Sequence, residues 1–313
     1  MFSSMNYIYE VYKEKSFSKA AKNLYISQPS LSASVKRIEQ QIGTPLFDRS
    51  TNPIKLTDCG EAYIFAIEQI QGIEQDFQNY LADRNGLKVG KLTIGGSNLF
   101  SSYVLPPLIS KYKERFPLIE IDLIEDSTSK LKELLQNGVL DLLIDNYVFS
   151  EDNFIKHLYR PEQLLLAVPK DISINTSIKE CQLTLTDIKQ HKHQKDDFPS
   201  VPLGLFEKEP FILLKTENDT RQRSLRICQE YGFQPHAILT LDQQVTAYNV
   251  TCSGMGISFI SDTLAYNVLP HPDVVFYKLQ GEAAHRNIYF YQKKNRYVTK
   301  AITEFLSFVT YQI

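Results

Sequence analysis

Residues 24–43 read LYISQPSLSASVKRIEQQIG, and how this stretch folds decides what the chain is. Leu31, Val35, Ile38 and Ile42 recur at spacings of 4, 3 and 4, the period of an amphipathic helix. Ser27 suits an N-cap, and Pro29 falls in the first turn, where its missing N–H costs no intrahelical bond. Gly43 can close the helix, and Pro45 prevents its renewal. With the apolar stripe buried, Gln28, Pro29, Ser30, Ser32, Ala33 and Lys36 are left on the outer face. Small groups let a helix enter the major groove of DNA. Gln can bind adenine bidentately, Ser can bond several bases, and a Pro ring or Ala methyl can meet a thymine methyl. Lys36 and Arg37 suit phosphates, which position a protein without specifying sequence. The alternative is a surface helix with a solvated polar face, so the flanking residues must decide.

Upstream, Met5, Ile8, Tyr9 and Tyr12 share one face of a helix expected over 4–14. Ser16 or Ser18 can cap a short second helix through Leu24, burying Phe17, Ala20, Ala21 and Leu24. The Ala20-Ala21 pair lets two helices approach closely, and Tyr25-Ile26-Ser27 is the turn, with Ile26 filling the angle. Ser18 and Lys19 join the expected DNA contacts. Downstream, LFDRSTNPIKLTDCG (46–60) holds two β-prone runs, 46–49 and 54–57, around the turn-forming Ser-Thr-Asn-Pro. This predicts a β-wing with Arg49 and Lys55 placed to touch backbone phosphate.

Taken together, Phe17-Ser18-Lys19-Ala20-Ala21, Leu24, Ser27-Gln28-Pro29-Ser30-Leu31-Ser32, Ile38-Glu39, Gly43-Thr44-Pro45-Leu46-Phe47-Asp48-Arg49 and Leu56-Thr57-Asp58-Cys59-Gly60 resemble the winged helix-turn-helix of LysR-type bacterial transcriptional regulators. The resemblance covers residues 1–60. It departs at Ala33, where many members carry Arg, so one base or phosphate contact of the family is missing and operator preference is expected to differ. The charge distribution agrees. Residues 1–60 hold eight Lys/Arg against five Asp/Glu, whereas the remaining residues carry a net −5.

Thr57 can cap a long helix over 58–84. Tyr63, Ala66, Ile70, Ile73, Phe77 and Tyr80 are spaced 3, 4, 3, 4, 3, a heptad seam of roughly three repeats. Such a stripe can lie on its own domain or pair with a second copy. The family pairs through a linker helix, so the resemblance implies a homodimer, whose two heads read two half-sites. Asp83-Arg84-Asn85-Gly86 is the expected hinge, giving a linker of 58–86.

From Gly90 onward strand-like and helix-like segments alternate, the βαβ rhythm of α/β domains. Two units are expected, at about 88–166 and 167–267, with 268–313 returning to the first. This half resembles the effector-binding region of the same family, which is similar to periplasmic solute-binding proteins. Gly138-Val-Leu-Asp-Leu-Leu-Ile144 and Gly254-Met-Gly-Ile-Ser-Phe-Ile260 are the landmarks. Ser261 stands where members often have Pro, and 175–202 looks like an insertion. The fold class is therefore α/β, with an all-α winged head, a linker helix and a two-subdomain regulatory region at 88–313.

In such folds ligands sit at the carboxyl ends of strands, between subdomains. That points to Ser97, Asn98, Leu99, Ser127, Thr128, Asn146 and Tyr147 on one side, and to Thr216, Glu217 and Phe259 on the other. Ser97 and Thr128 near helix N-termini favour a carboxylate-bearing effector, while Glu217 leaves room for an amine or hydroxyl.

Other classes find less support. GxSxG, HExxH, Walker and GxGxxG motifs are absent, and Gly254-Met-Gly256 precedes a strand rather than joining strand to helix, so no catalytic residue is expected. His191 and His193 lie in the polar QHKHQKDD and read as a mobile surface loop rather than a metal site. A solute-binding protein would share the body but not the head. A thiol sensor of the same family would need a cysteine in the loop TENDTRQRS, which has none; Cys228 and Cys252 read as buried structural thiols. Four dispersed cysteines without a CxxC pair, no basic-then-apolar N-terminus and no run approaching ~18 apolar residues predict a cytoplasmic protein without a membrane partner. The expected partners are inverted-repeat DNA, a second copy, a homotetramer in line with the family, and RNA polymerase for an activator. No cofactor is expected beyond a small-molecule effector.

Overall fold

The computed structural model describes residues 4–84, 90–269 and 271–310. The chain forms two compact units. One is 1–87 with 133–140 and 295–299; the other is 88–132, 141–294 and 300–313.

In the first unit, helices α1 (Met5–Glu14), α2 (Phe17–Asn23) and α3 (Gln28–Ile42) precede a two-stranded antiparallel wing, β1 (Phe47–Asp48) and β2 (Lys55–Leu56). The long helix α4 (Asp58–Arg84) follows. Ser16 caps α2 by accepting from the Lys19 N–H, and Ser27 caps α3 by accepting from the Ser30 N–H. Gly43 ends α3 at φ +86°, the left-handed region that glycine enters without steric cost. Ile8, Val11, Ala20, Leu31, Val35, Leu46 and Ile67 form the fully buried centre of one core. Each large aliphatic chain there contributes ~1.5–3 kcal/mol, enough to fix which face of α3 points outward.

Gly60 makes the junction of wing and long helix possible. A Cβ there would lie 2.0 Å from the Leu46 carbonyl oxygen. Thr57 caps α4 through the Gly60 N–H at 3.0 Å, and its own hydroxyl donates to the Pro45 carbonyl at 2.7 Å. On α4 the expected seam needs correction. Tyr63 is buried with Ile64 and Ile67 in the head's core, because the first two turns of α4 are also a wall of that domain. Ala66 and Ile70 are half-buried. Among the described side chains of α4, the large exposed apolar ones are Phe65, Ile73, Phe77, Tyr80 and Leu81, and Tyr80 meets Tyr297 edge-on. Farther along, Asn137 donates to the buried Glu68 carboxylate, and Arg296 pairs with Asp76 at 2.8 Å. The hinge expected at 83–86 extends outside the described residues.

The second unit opens with β3 (Gly90–Gly96), a wide turn over 100–104, α5 (Leu105–Arg115), β4 (Ile119–Glu125), α6 (Thr128–Gln136, whose last turn belongs to the first unit) and β5 (Leu142–Asp145). Then comes β6 (Phe154–Pro169), followed by β7 (Gln182–Leu183) and the short α7 (Leu185–Lys189). Next are β8 (Pro210–Leu214), α8 (Asp219–Glu230), β9 (His236–Leu241), α9 (Gln244–Cys252), β10 (Ile257–Ser261) and α10 (Asp262–Asn267). The end is β11 (Val274–Lys278), β12 (His285–Lys293) and α11 (Lys300–Thr310). One lobe has strand order β4-β3-β5-β12-β6, with β3, β4 and β5 parallel. The other has β7-β11-β6-β10-β8-β9, with β8, β9 and β10 parallel.

The sixteen-residue β6 serves both lobes. Its residues 154–163 pair with β12, and 164–169 pair with β10 and β11. The chain crosses back between β11 and β12. Two expectations are corrected here. Val274–Lys278 pairs with Leu165–Pro169 and so belongs to the second lobe, not the first. The boundary expected at 166/167 falls inside β6, whose first part, 154–162, forms the outer edge of the first sheet, where Pro161 and charged residues are tolerated. No described helix is long and apolar enough to cross a membrane.

Candidate nucleic-acid interface and ligand cleft

Gln28, Pro29, Ser30, Ala33, Lys36 and Arg37 are all exposed on α3, and Ser32 is half-buried. Ser18 and Lys19 are exposed at the start of α2, and Lys55 on the wing. Within this set Ser30 also serves the cap, its hydroxyl 2.7 Å from that of Ser27. Arg49 is more constrained than its sequence position suggests. Its guanidinium bonds Glu39 at 2.9 Å and lies 5.0 Å from the Phe17 ring centroid, so one side of the fork is already engaged. Glu39 is the residue whose role the sequence did not disclose. Its carboxylate accepts from the Leu46 N–H at 2.9 Å and the Phe47 N–H at 3.3 Å, tying the wing to α3. Those N–H groups are invisible to a pattern of side chains.

The second site is a cleft of about 420 Å³ at the carboxyl ends of the parallel strands in both lobes. Ser97, Leu99, Ser127, Thr128, Asn146, Tyr147 and Glu217 line it, as their strand-end positions suggested. Three expected residues do not. Asn98 donates instead to Glu125 at 3.0 Å. Thr216 is exposed on the loop after β8 and is not part of the cleft wall. Phe259 is buried and stacks on Phe211 at 5.9 Å, because β10 is covered on both faces and residue 259 points into the hydrophobic core. The cleft also contains residues that were not anticipated, among them Asp126, Lys132, Asp145, Lys215, Asp219 and Asp242. Asp242 and Gln244 follow β9, a strand whose end carried no expectation although the same rule applied to it.

Asp145 forms the floor. It is 2% exposed, and its two oxygens accept from the Thr128 hydroxyl at 2.8 Å and the Tyr147 N–H at 2.8 Å. Burial pushes its carboxyl up to about 6, against those two hydrogen bonds and the charge of Arg286. Arg286 itself is committed to Glu162 at 2.6 Å and Asp219 at 2.8 Å. Glu162 further accepts from Asn146 at 3.0 Å and from the Thr263 hydroxyl. Asp219 also receives Arg223 at 2.8 Å, and Lys215 pairs with Asp242 at 2.7 Å.

His193 overturns the reading of 190–197 as a mobile loop. It is 1% exposed, with Nε2 3.1 Å from the buried Asp262 carboxylate. Its partner lies 69 residues away, so local polarity misled. Cys228 is fully buried, and burial pushes its thiol up to about 12, away from the thiolate that redox chemistry requires.

The profile described as "Bacterial regulatory helix-turn-helix protein, lysR family" matches residues 2–61, and "LysR substrate binding domain" matches residues 85–312. The uncharacterized HTH-type transcriptional regulator YcgK of Bacillus subtilis (strain 168) is 30% identical, over 96% of this chain and 91% of the relative. A probable RuBisCO transcriptional regulator of Porphyra purpurea is 27% identical, over 94% and 88%. Full-length CbnR in complex with its target DNA has the same fold, with a TM-score of 0.70, 17% identity and full coverage of both chains.

Proposed function

Because the chain belongs to the LysR family of DNA-binding transcriptional regulators with an effector-binding domain, we propose that α3 is the base-reading helix of this member and that it works in pairs. Gln28, Ser30, Ser32 and Ala33 face base edges, while Lys36, Arg37, Lys55 and the free side of Arg49 meet phosphates. Ser18 and Lys19 add backbone contacts from α2. Ile73 and Phe77, the exposed part of the heptad seam, with Phe65 and Leu81 beside them on α4, are the surface that joins two copies, an arrangement that presents two heads to an inverted repeat. Assembly to a tetramer and contact with RNA polymerase extend the same reading. A small molecule in the 420 Å³ cleft modulates promoter binding by favouring one arrangement of the lobes over another. The chain acts in the cytosol by binding rather than by catalysis.

The observation that carries this reading is the division of α3. Leu31, Val35 and Ile38 are buried, while Gln28, Ser30, Ala33, Lys36 and Arg37 are exposed on the opposite face. Gln28→Ala should weaken binding to a selected operator by ~1–3 kcal/mol while leaving binding to random DNA nearly unchanged. Equal losses on both DNAs, measured by titration at one salt concentration, would remove the base-reading role.

A further inference from the structure

The charges around the cleft do not balance. Five carboxylates line it, Asp126, Asp145, Glu217, Asp219 and Asp242, against two lysines, Lys132 and Lys215. Some of these are already engaged. Lys215 is paired with Asp242, and Asp219 with Arg223 and Arg286. Arg286 is shared with Glu162, so it brings no surplus positive charge into the cleft. Asp126, Asp145 and Glu217 remain, opposed by Lys132, whose ammonium lies 5.8 Å from the Phe149 ring centroid.

The helix N-termini facing the cleft do not reverse this balance. Asp126 stands two residues before α6, Asp219 opens α8, and Asp242 stands two residues before α9. Each of these helices therefore already has a carboxylate of the chain itself at its positive end, where an anionic effector would gain most. A carboxylate entering would meet like charge in a concave site, where walls of one sign concentrate the field. A cation would meet attraction, and the Tyr147 ring in the cleft wall adds a face for it.

We infer that the effector of this cleft is an organic cation, an aliphatic amine or guanidine, bound by Asp126 and Asp145 of one lobe and Glu217 of the other. The inference rests on the effector reading of the cleft and replaces the carboxylate-bearing metabolite suggested by Ser97 and Thr128 alone.

The test uses the full-length protein and two matched sets of probes. Putrescine and agmatine are the cations, and succinate is the anion with the same carbon count as putrescine. Each is titrated calorimetrically up to about 10 mM, a range that reaches weak millimolar affinities. At least one of the cations should bind saturably, more weakly as salt rises, and succinate should not. Glu217→Gln and Asp126→Asn change exposed side chains without altering shape, and each should weaken cation binding about two- to fivefold. Binding of succinate alone would overturn the assignment while leaving the effector reading intact. Silence of both cations would overturn it as well, as would cation binding indifferent to both substitutions. DNA titrations with and without the bound cation separate the two levels. A cation that binds as described but leaves operator affinity unchanged supports the ligand class and removes the regulatory role.

Discussion

Asp145→Asn should stabilise the regulatory region, and by an amount that grows with pH. The carboxyl is raised from its ordinary 3.8 to about 6, with burial as the leading cause. A shift of that size corresponds to ~3 kcal/mol favouring the protonated form in the folded state. The sign follows from linkage. The folded chain holds this proton more tightly than the unfolded one. The penalty is therefore absent below the unfolded value, grows as pH rises, and is complete above the folded value. Roughly half of the ~3 kcal/mol should develop between about pH 5 and about pH 8. Asn suits the site, since its carbonyl can accept from the Tyr147 N–H while its amide faces the Thr128 hydroxyl, which can accept. The chain has no tryptophan, so urea denaturation is best followed by circular dichroism, in parallel for wild type and variant. An exposed control, Asp152→Asn, cancels the background titration of other groups. The stability difference between D145N and wild type should rise by about 1–2 kcal/mol across that window. A flat difference would falsify the claim that Asp145 titrates as an unneutralised buried acid, and a falling one would place a direct cation beside it.

Three further outcomes follow from the geometry. Gly60→Ala forces a methyl to within 2.0 Å of the Leu46 carbonyl, and should cost the head about 2–4 kcal/mol; a neutral result in thermal melts would show that the wing can move aside freely. Lys36→Ala should lower the slope of log affinity against log salt by ~0.9 for each phosphate the side chain neutralises, on any DNA sequence, and an unchanged slope would count against a phosphate role for it. Cys228, with its thiol pushed up to about 12, should resist alkylation at pH about 8 until urea unfolds the domain; rapid modification at this residue by mass spectrometry would contradict its burial.

What the sequence disclosed depended on how local the cause was. The limits of α3 follow from Ser27 and Gly43, caps that act on neighbouring N–H and C=O groups, and both are where the pattern placed them. Seven of the ten residues expected in the cleft line it, by a rule about strand ends that needs no distant partner. Most of the failures involve remote partners. Tyr63 fits a heptad seam by spacing, yet the head packs against the same turn of α4. Phe259 lies in the middle of a strand whose two faces are both covered, a fact set by Phe211 and the other elements of that core. His193 is ordered by Asp262, and Glu39 by two backbone N–H groups of the wing. Pairing of β11 with β6 depends on a crossing between lobes that periodicity does not encode.

Two buried acids near the lobe crossing show why the cleft keeps its negative charge. Glu162 and Asp145 are each 2% exposed. Glu162 has Arg286 at 2.6 Å, with Asn146 and Thr263 completing its hydrogen bonds, so its desolvation is offset by a direct ion pair. Asp145 has only neutral donors in contact and feels Arg286 from farther away. Glu162 and Asp219 flank the same guanidinium and offset much of the attraction it exerts on Asp145. Asn146 belongs to both settings, bonding Glu162 while lining the cleft beside Asp145. A positive group brought to the cleft floor would therefore find a carboxylate already stripped of water and not yet paired. It would gain more from that contact than from an exposed acid, whose charge water has largely screened. The same step would neutralise a buried charge in the cleft wall of one lobe. That is the kind of differential interaction a ligand needs if it is to shift one arrangement of this domain relative to another.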